Sequence, residues 1–199
     1  PSWAPLEYTD TETGMFSGVT SDLLSTFSRY TGLRFRFEPI DQAEALEKVK
    51  KGLIDMVCSV TGDYLWDERN KMYTTRYYLR APTMLVRTKQ PHAIERIALQ
   101  GGYWFSEHVA ADHPGKEIIF YKNVRECFDA LLKGDADAVY ANVYVTNYLL
   151  TERRYESLAA TSMSKYTSEI CFGISKCADP RLLSILDKCI QYTAPERMD

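Results

Sequence analysis

One pattern occurs twice in this chain, and it constrains the fold more than any other feature. Residues 45–57 read Ala-Leu-Glu-Lys-Val-Lys-Lys-Gly-Leu-Ile-Asp-Met-Val, and residues 127–139 read Cys-Phe-Asp-Ala-Leu-Leu-Lys-Gly-Asp-Ala-Asp-Ala-Val. Leu46 falls in register with Phe128, Val49 with Leu131, Lys51-Gly52 with Lys133-Gly134, Asp55 with Asp137 and Val57 with Val139. Each copy reads as an amphipathic helix closed by a basic residue and a glycine, followed at once by a strand that opens on aspartate. The spacing of 82 residues is too long for a solenoid. It fits two similar α/β lobes, and two lobes imply a binding cleft.

The rest of the chain fills in those lobes. Leu23, Leu24, Phe27 and Tyr30 follow Thr20-Ser21-Asp22 at helical spacing and end at Gly32. Leu33, Phe35 and Phe37 alternate with Arg34, Arg36 and Glu38, the period of a half-exposed strand. Strands are expected at 56–60, 83–87, 97–100, 117–121 and 168–175, with a polar turn over 61–71. Helices are expected near 103–111 and 143–151, and a last helix begins at Asp179-Pro180. Thr88-Lys89-Gln90-Pro91-His92 has linker chemistry. The division predicted is 1–86 plus 168–199 as lobe one and 87–167 as lobe two, in an α/β fold with mainly parallel sheets.

Composition excludes several functions. A net charge of -3 without a long basic run argues against nucleic acid and against an anionic membrane surface. No stretch reaches the roughly 18 apolar residues that a membrane span needs, so any tie to a membrane would come through a fused or partner protein. The five cysteines have no zinc-like spacing. Cys58, Cys127 and Cys171 read as buried hydrophobes, while Cys177 and Cys189 are free thiols or, less simply, a bridge. No signal peptide is present, and both ends look blunt, as expected of a domain excised from a longer protein. No P-loop, G-x-G-x-x-G or G-x-S-x-G is found. His108 and His113 fit a solvated helix end better than a metal site.

Trp3-Ala4-Pro5-Leu6-Glu7-Tyr8, Gly18-Val19-Thr20-Ser21-Asp22-Leu23-Leu24, Lys51-Gly52-Leu53-Ile54-Asp55, Asp67-Glu68-Arg69 and Lys133-Gly134-Asp135-Ala136-Asp137 come in a telling order. Together they resemble the extracellular solute-binding proteins of family 3, polar amino-acid receptors with the type 2 periplasmic-binding (Venus flytrap) fold. The resemblance covers nearly the whole chain. The family's first strand precedes the aromatic-Pro opening, so lobe one either lacks that strand or fills the gap with another segment.

The resemblance implies ligand contacts. Arg69 matches the arginine that grips a ligand carboxylate through two parallel hydrogen bonds; a surface pairing with Asp63 or Asp67 is the plainer reading. Gly62 falls where backbone approaches the ligand, though a turn glycine explains it as well. Tyr64 replaces the usual threonine and would reshape the pocket. Trp3 matches an aromatic that packs on the ligand, and Trp66 and Trp104 are expected on loops at the cleft mouth. Gly101, Gly102 and Tyr103, after Gln100, match a strand-to-helix loop whose amides meet an anion. Asn142 stands where receptors place the aspartate for the ligand's ammonium, and it could equally be a helix cap. A hydrogen bond to a charged group is worth roughly 1.5–3 kcal/mol, so losing that charge would cost about ten- to a hundredfold in affinity. On that ground carboxylates or amides without an ammonium should be favoured over ordinary α-amino acids.

The expected function is an extracytoplasmic binding domain, not an enzyme, that closes on a small anionic ligand without a cofactor or metal. Tyr64, Asn142 and the blunt ends favour the sensory part of a transmembrane signalling protein; a free receptor of an ABC amino-acid transporter is the alternative. A dehydratase on the same fold needs a catalytic carboxylate, for which Glu7 and Asp63 are the only candidates. A ligand-free scaffold for a protein partner is the remaining reading, and a dimer is left open.

Overall fold

The structure, a computed structural model, describes residues 2–61, 63–90 and 92–193. In chain order the elements are β1 (Ser2–Trp3), β2 (Glu7–Thr9), β3 (Phe16–Ser17), α1 (Val19–Thr31), α2 (Gln42–Lys50), β4 (Met56–Val60), α3 (Tyr64–Arg69) and β5 (Met72–Thr74). They continue with β6 (Leu79–Thr88), β7 (Arg96–Gln100), α4 (Trp104–Asp112), β8 (Glu117–Tyr121), α5 (Val124–Lys133), β9 (Ala138–Asn142), α6 (Val143–Leu150), β10 (Leu158–Ser175) and α7 (Arg181–Thr193). The chain packs into two compact units. Unit one holds Thr9–Arg80 and Glu169 onward, and unit two holds Ser2–Tyr8 and Ala81–Ser168. The chain thus passes from unit to unit inside the strands β2, β6 and β10, and of the linker-like segment Thr88, Lys89, Gln90 and His92 fall in unit two.

Unit one is built on the far end of β10. Both β4 and β5 pair antiparallel with it, Gly173 lying opposite Val57 on one side and Thr74 on the other. A Cβ on Gly173 would come within 2.7 Å of Met72 Sδ and 2.9 Å of Val57 Cγ1, so only glycine lets these strands close up. Phe172 stacks on Tyr78 at 4.4 Å and meets the edge of Phe27 at 6.3 Å. Around them lie Leu24 and Phe27 of α1, Val49 of α2, and Leu186 and Ile190 of α7, all buried. A chain of hydroxyls runs beneath: Tyr78 Oη lies 3.2 Å from Thr20 Oγ1 and 2.9 Å from Ser59 Oγ.

Unit two centres on β7, which runs parallel to both β8 and β9. The α/β class holds, but the sheet is mixed rather than mainly parallel: the parallel ladders are those of β7, while the long strands β6 and β10 take antiparallel partners. Ile97, Leu99, Val109, Tyr140 and Tyr166 form a buried cluster. The amphipathic α5 turns Val124, Cys127, Phe128 and Leu131 inward, and Phe128 meets Tyr155 edge-on at 5.3 Å.

The duplicated pattern folds as read. α2 leads into Gly52 at φ +68°, and α5 ends on Gly134 at φ +76°, the left-handed turn that glycine makes without a Cβ clash. The paired aspartates diverge. Asp55 is exposed, whereas Asp137 is buried and accepts from the amides of Glu95 and Arg96 and from the Arg96 guanidinium.

Several expectations need correction. Residues 33–37 carry the sequence alternation of a strand, but the burial alternation stops at Arg36, Phe37 is exposed, and no described segment pairs with them in a ladder. Phe37 instead stacks on Phe16 at 4.4 Å. Helix α1 starts at Gly18 without a side-chain cap, one turn before the Thr-Ser-Asp reading placed it. The polar turn over 61–71 contains α3, nucleated by Asp63 accepting from the Trp66 amide at 2.9 Å. Cys177 and Cys189 are separate thiols rather than a bridge, the first exposed and the second buried. His113 is not a solvated end: Nδ1 lies 2.8 Å from Val109 O and Nε2 3.1 Å from Tyr140 Oη.

Candidate functional site

Arg69 and Tyr64 sit at opposite ends of α3 in unit one, and both are exposed. The helix is held from beneath. Trp66 is 3 % exposed, and Asn70 closes the last turn by donating its side-chain amide to Trp66 O at 2.9 Å. Trp66 is therefore on a helix and in the core of unit one, not on a loop. Asp67, one of the two acids considered as a surface partner for Arg69, turns inward, where its Oδ2 accepts from the Thr74 hydroxyl at 2.7 Å. Burial first, and the charge of Asp63 among lesser causes, raises its carboxyl above the ordinary aspartate range. Gly62 lies outside the described residues.

In unit two the strand β7 ends at Gln100, and the turn Gly101-Gly102 leads to Tyr103, the N-cap of α4. Gly102 takes φ +80°, which explains the glycine there. The Gly101 amide is already spent on Tyr121 O at 2.9 Å, so it does not point at a ligand. Tyr103 supplies no side-chain cap to α4. Its ring stacks on Trp3 instead, with centroids 5.7 Å apart and planes 27° from parallel.

Trp3 belongs to the short hairpin of β1 and β2, where it lies directly opposite Glu7. Glu7 is 7 % exposed, an unusual position for a carboxylate. Burial first, then the Glu7 charge, drives the Tyr103 hydroxyl far above the ordinary phenol range and keeps it neutral at physiological pH. The structure therefore brings Trp3, Tyr103 and Glu7 together. Sequence reasoning noted Glu7 only as a candidate catalytic carboxylate; the signal missed was the hairpin, whose register sets Glu7 on the same face as Trp3.

Asn142 closes β9 and opens α6. Its Oδ1 accepts from the amides of Tyr144 and Val145, each at 3.0 Å, so the side chain is the cap of that helix. Trp104, which directly follows Tyr103, begins α4 and stacks on His108 at 5.0 Å, so it lies on a helix rather than a loop. Among the described residues no group of three or more His, Cys, Asp or Glu is placed to hold a metal ion. Among the described residues no helix is long and apolar enough to cross a membrane.

The fold is that of two-lobed periplasmic binding proteins. A histidine kinase sensor domain with similarity to periplasmic binding proteins superposes with a TM-score of 0.85 at 17% identity, covering 96% of this chain and 85% of that one. The periplasmic VFT2 domain of BvgS from Bordetella pertussis gives 0.83 at 20% identity, covering 98% and 85%. The substrate-binding protein of an amino acid ABC transporter gives 0.82 at 19% identity, covering 95% and 88%. At these identities the likeness is one of fold. No curated protein matches the sequence. The sequence itself matches the bacterial extracellular solute-binding proteins, family 3, over residues 1–192, and the chain belongs to that family.

Proposed function

We propose that this chain is an extracytoplasmic binding domain for a small carboxylate-bearing solute, an amino acid or organic acid, and serves as the sensory part of a transmembrane signalling protein. The observation that carries this reading is the family match over residues 1–192, which spans both units. A histidine kinase sensor domain shares the fold at a TM-score of 0.85, which supports the sensory use. Arg69 is the residue assigned to the carboxylate. It is exposed on a helix whose other face is anchored by Trp66, and its guanidinium fork matches a carboxylate in two parallel bonds. Tyr64, Gly62, Trp3, Gly101, Gly102, Tyr103 and Asn142 are the further residues assigned to the ligand's surroundings. Of these, Asn142 contributes through the position of α6, since its carbonyl oxygen is committed to the cap.

A receptor of an ABC transporter is the second reading, because one such protein shares the fold at a TM-score of 0.82. Tyr64 and Asn142, in place of the threonine and aspartate of the receptors, favour the sensor. Binding without turnover is the reading taken over a dehydratase. Calorimetric titration with glutarate, glutamate and glutamine, on the wild type and on Arg69→Lys, tests the assignment. Lysine keeps the charge and loses the fork, so affinity for a bound carboxylate should fall about tenfold or more. Equal affinity in the two proteins would remove Arg69 from the site.

A further inference from the structure

Helix α3 covers a carboxylate for which ligand binding has no use. Asp67 lies next to the buried Trp66, and its Oδ2 accepts from the Thr74 hydroxyl of β5 at 2.7 Å. Its other oxygen, Oδ1, is shut off from solvent and has no hydrogen-bond partner among the described residues. A carboxylate with one oxygen buried bare is rare, because an unpaired buried polar atom costs free energy and an ionised one costs most. A metal ion is no remedy, since among the described residues no three acids, histidines or cysteines gather to hold one. A proton is.

The surroundings push the same way. Burial is the first cause that raises the Asp67 carboxyl, and the charges of Asp63 at the head of α3 and of Glu68 on it add to the rise. Lys176, just after β10, opposes them, but its ammonium is bonded to Glu68 at 2.5 Å. From β10 comes the Cys171 thiol, kept neutral by burial first and then by the charges of Glu169, Asp67 and Asp187 of α7. The chain's histidines, His92, His108 and His113, all belong to unit two, so none of them drives a response to acid within unit one.

We propose that Asp67 makes α3 an acid-responsive element: uptake of a proton by this carboxyl tightens the seat of α3 on β5, and loss of that proton towards neutral pH loosens it. On protonation the bond to Thr74 survives with its direction reversed, Oδ2–H donating to Oγ1. Oδ1 becomes the carbonyl oxygen of a neutral acid, which burial penalises far less. A carboxyl raised in the folded state stabilises the fold below its unfolded value, about 3.9, and that contribution is lost as pH rises through the folded value. The helix so governed carries Tyr64 and Arg69, both exposed, so their footing follows the acidity of the surroundings whether or not a solute binds there.

Amide hydrogen exchange of the whole protein, followed by NMR from about pH 4.5 to about pH 7.5 and corrected for intrinsic rates, tests the proposal. The probes are the amides of Asp67 and Asn70, which close α3 on Asp63 O at 3.0 Å and on Trp66 O at 3.1 Å. Their protection should be roughly threefold or more higher at the acid end. In Asp67→Asn, neutral at every pH, protection should stay at the acid level throughout. Wild-type protection that is flat, or that falls towards acid, overturns the proposal. An Asp67→Asn protein that keeps the wild-type response overturns it too, because another group would then be titrating. Where that variant does not fold, the carboxyl carbon shift of Asp67 in the wild type decides. A midpoint shared with the rise in protection is the expected result, and a midpoint at or below about 3.9, the value of an unfolded aspartate, overturns the proposal.

Discussion

Asp137 accepts a hydrogen bond from the Arg96 guanidinium at 2.9 Å through a side chain that is only 3 % exposed. The amides of Arg96 and Glu95 and the His92 ring donate to the same carboxylate. Burial alone would raise its pKa, but these bonds outweigh it and hold the group well below the ordinary aspartate range. A depressed carboxylate stabilises the fold above its unfolded value, about 3.9, and that contribution is lost as pH falls below it. Asp137→Asn should cost about 1–3 kcal/mol at neutral pH. Urea unfolding of both proteins should show the gap narrowing as pH drops below about 4. A gap independent of pH would contradict the clamp. Asp67 works the other way, since its raised carboxyl gains a proton more readily when folded.

The two glycines of the repeat are not equivalent. Both take a left-handed φ, which costs a residue with a Cβ roughly 1–2 kcal/mol. At Gly134 a Cβ would meet open space, whereas at Gly52 it would lie 2.7 Å from Cys177 Cβ. Gly52→Ala should therefore lose about 1–3 kcal/mol beyond Gly134→Ala. Equal melting temperatures for the two variants would count against the packing described at Cys177.

Asn142 predicts a separation of stability from chemistry. Asn142→Ala removes the acceptor for the amides of Tyr144 and Val145 and should cost about 1 kcal/mol. For a chain of this size that is a fall in Tm of about 2–4 °C. Asn142→Asp keeps the cap and should melt close to the wild type. A drop in the aspartate variant as large as in the alanine variant would argue that the side chain does something other than cap.

The cysteines should differ in reactivity. Burial pushes the Cys127 and Cys171 thiols up to about 12, whereas Cys177 is exposed. Brief treatment of the native protein with iodoacetamide near pH 7.5, followed by peptide mapping, should find Cys177 alkylated ahead of Cys127 and Cys171. Early modification of Cys127 would contradict its burial against Asn123 O, to which its thiol donates at 3.4 Å.

What the sequence made legible was what is local. The helix-glycine-strand repeat around Gly52 and Gly134, the strand at 117–121 and the start of α7 after Asp179-Pro180 all follow from neighbours within a few residues. The failures share the opposite property. Residues 33–37 have a strand's alternation, but a ladder needs a distant partner that periodicity cannot supply. Trp66 looked like a loop aromatic because the six-residue α3 is too short to display a period; its burial depends on the packing of unit one. The grouping of Ser2–Tyr8 with unit two was invisible for the same reason. With it went the neighbourhood of Glu7, which lies opposite Trp3 in the hairpin while the Trp3 ring stacks on Tyr103.

The most direct test of the account is a thermal-shift panel of amino acids, dicarboxylates, amides and aromatic acids at millimolar concentration, run on the wild type and on Arg69→Ala. A ligand at about 100 times its Kd should stabilise the fold by roughly 2.7 kcal/mol, and the account predicts at least one carboxylate-bearing hit that disappears in the variant. A cooperative melt that no compound raises, or a hit unchanged in Arg69→Ala, would contradict it.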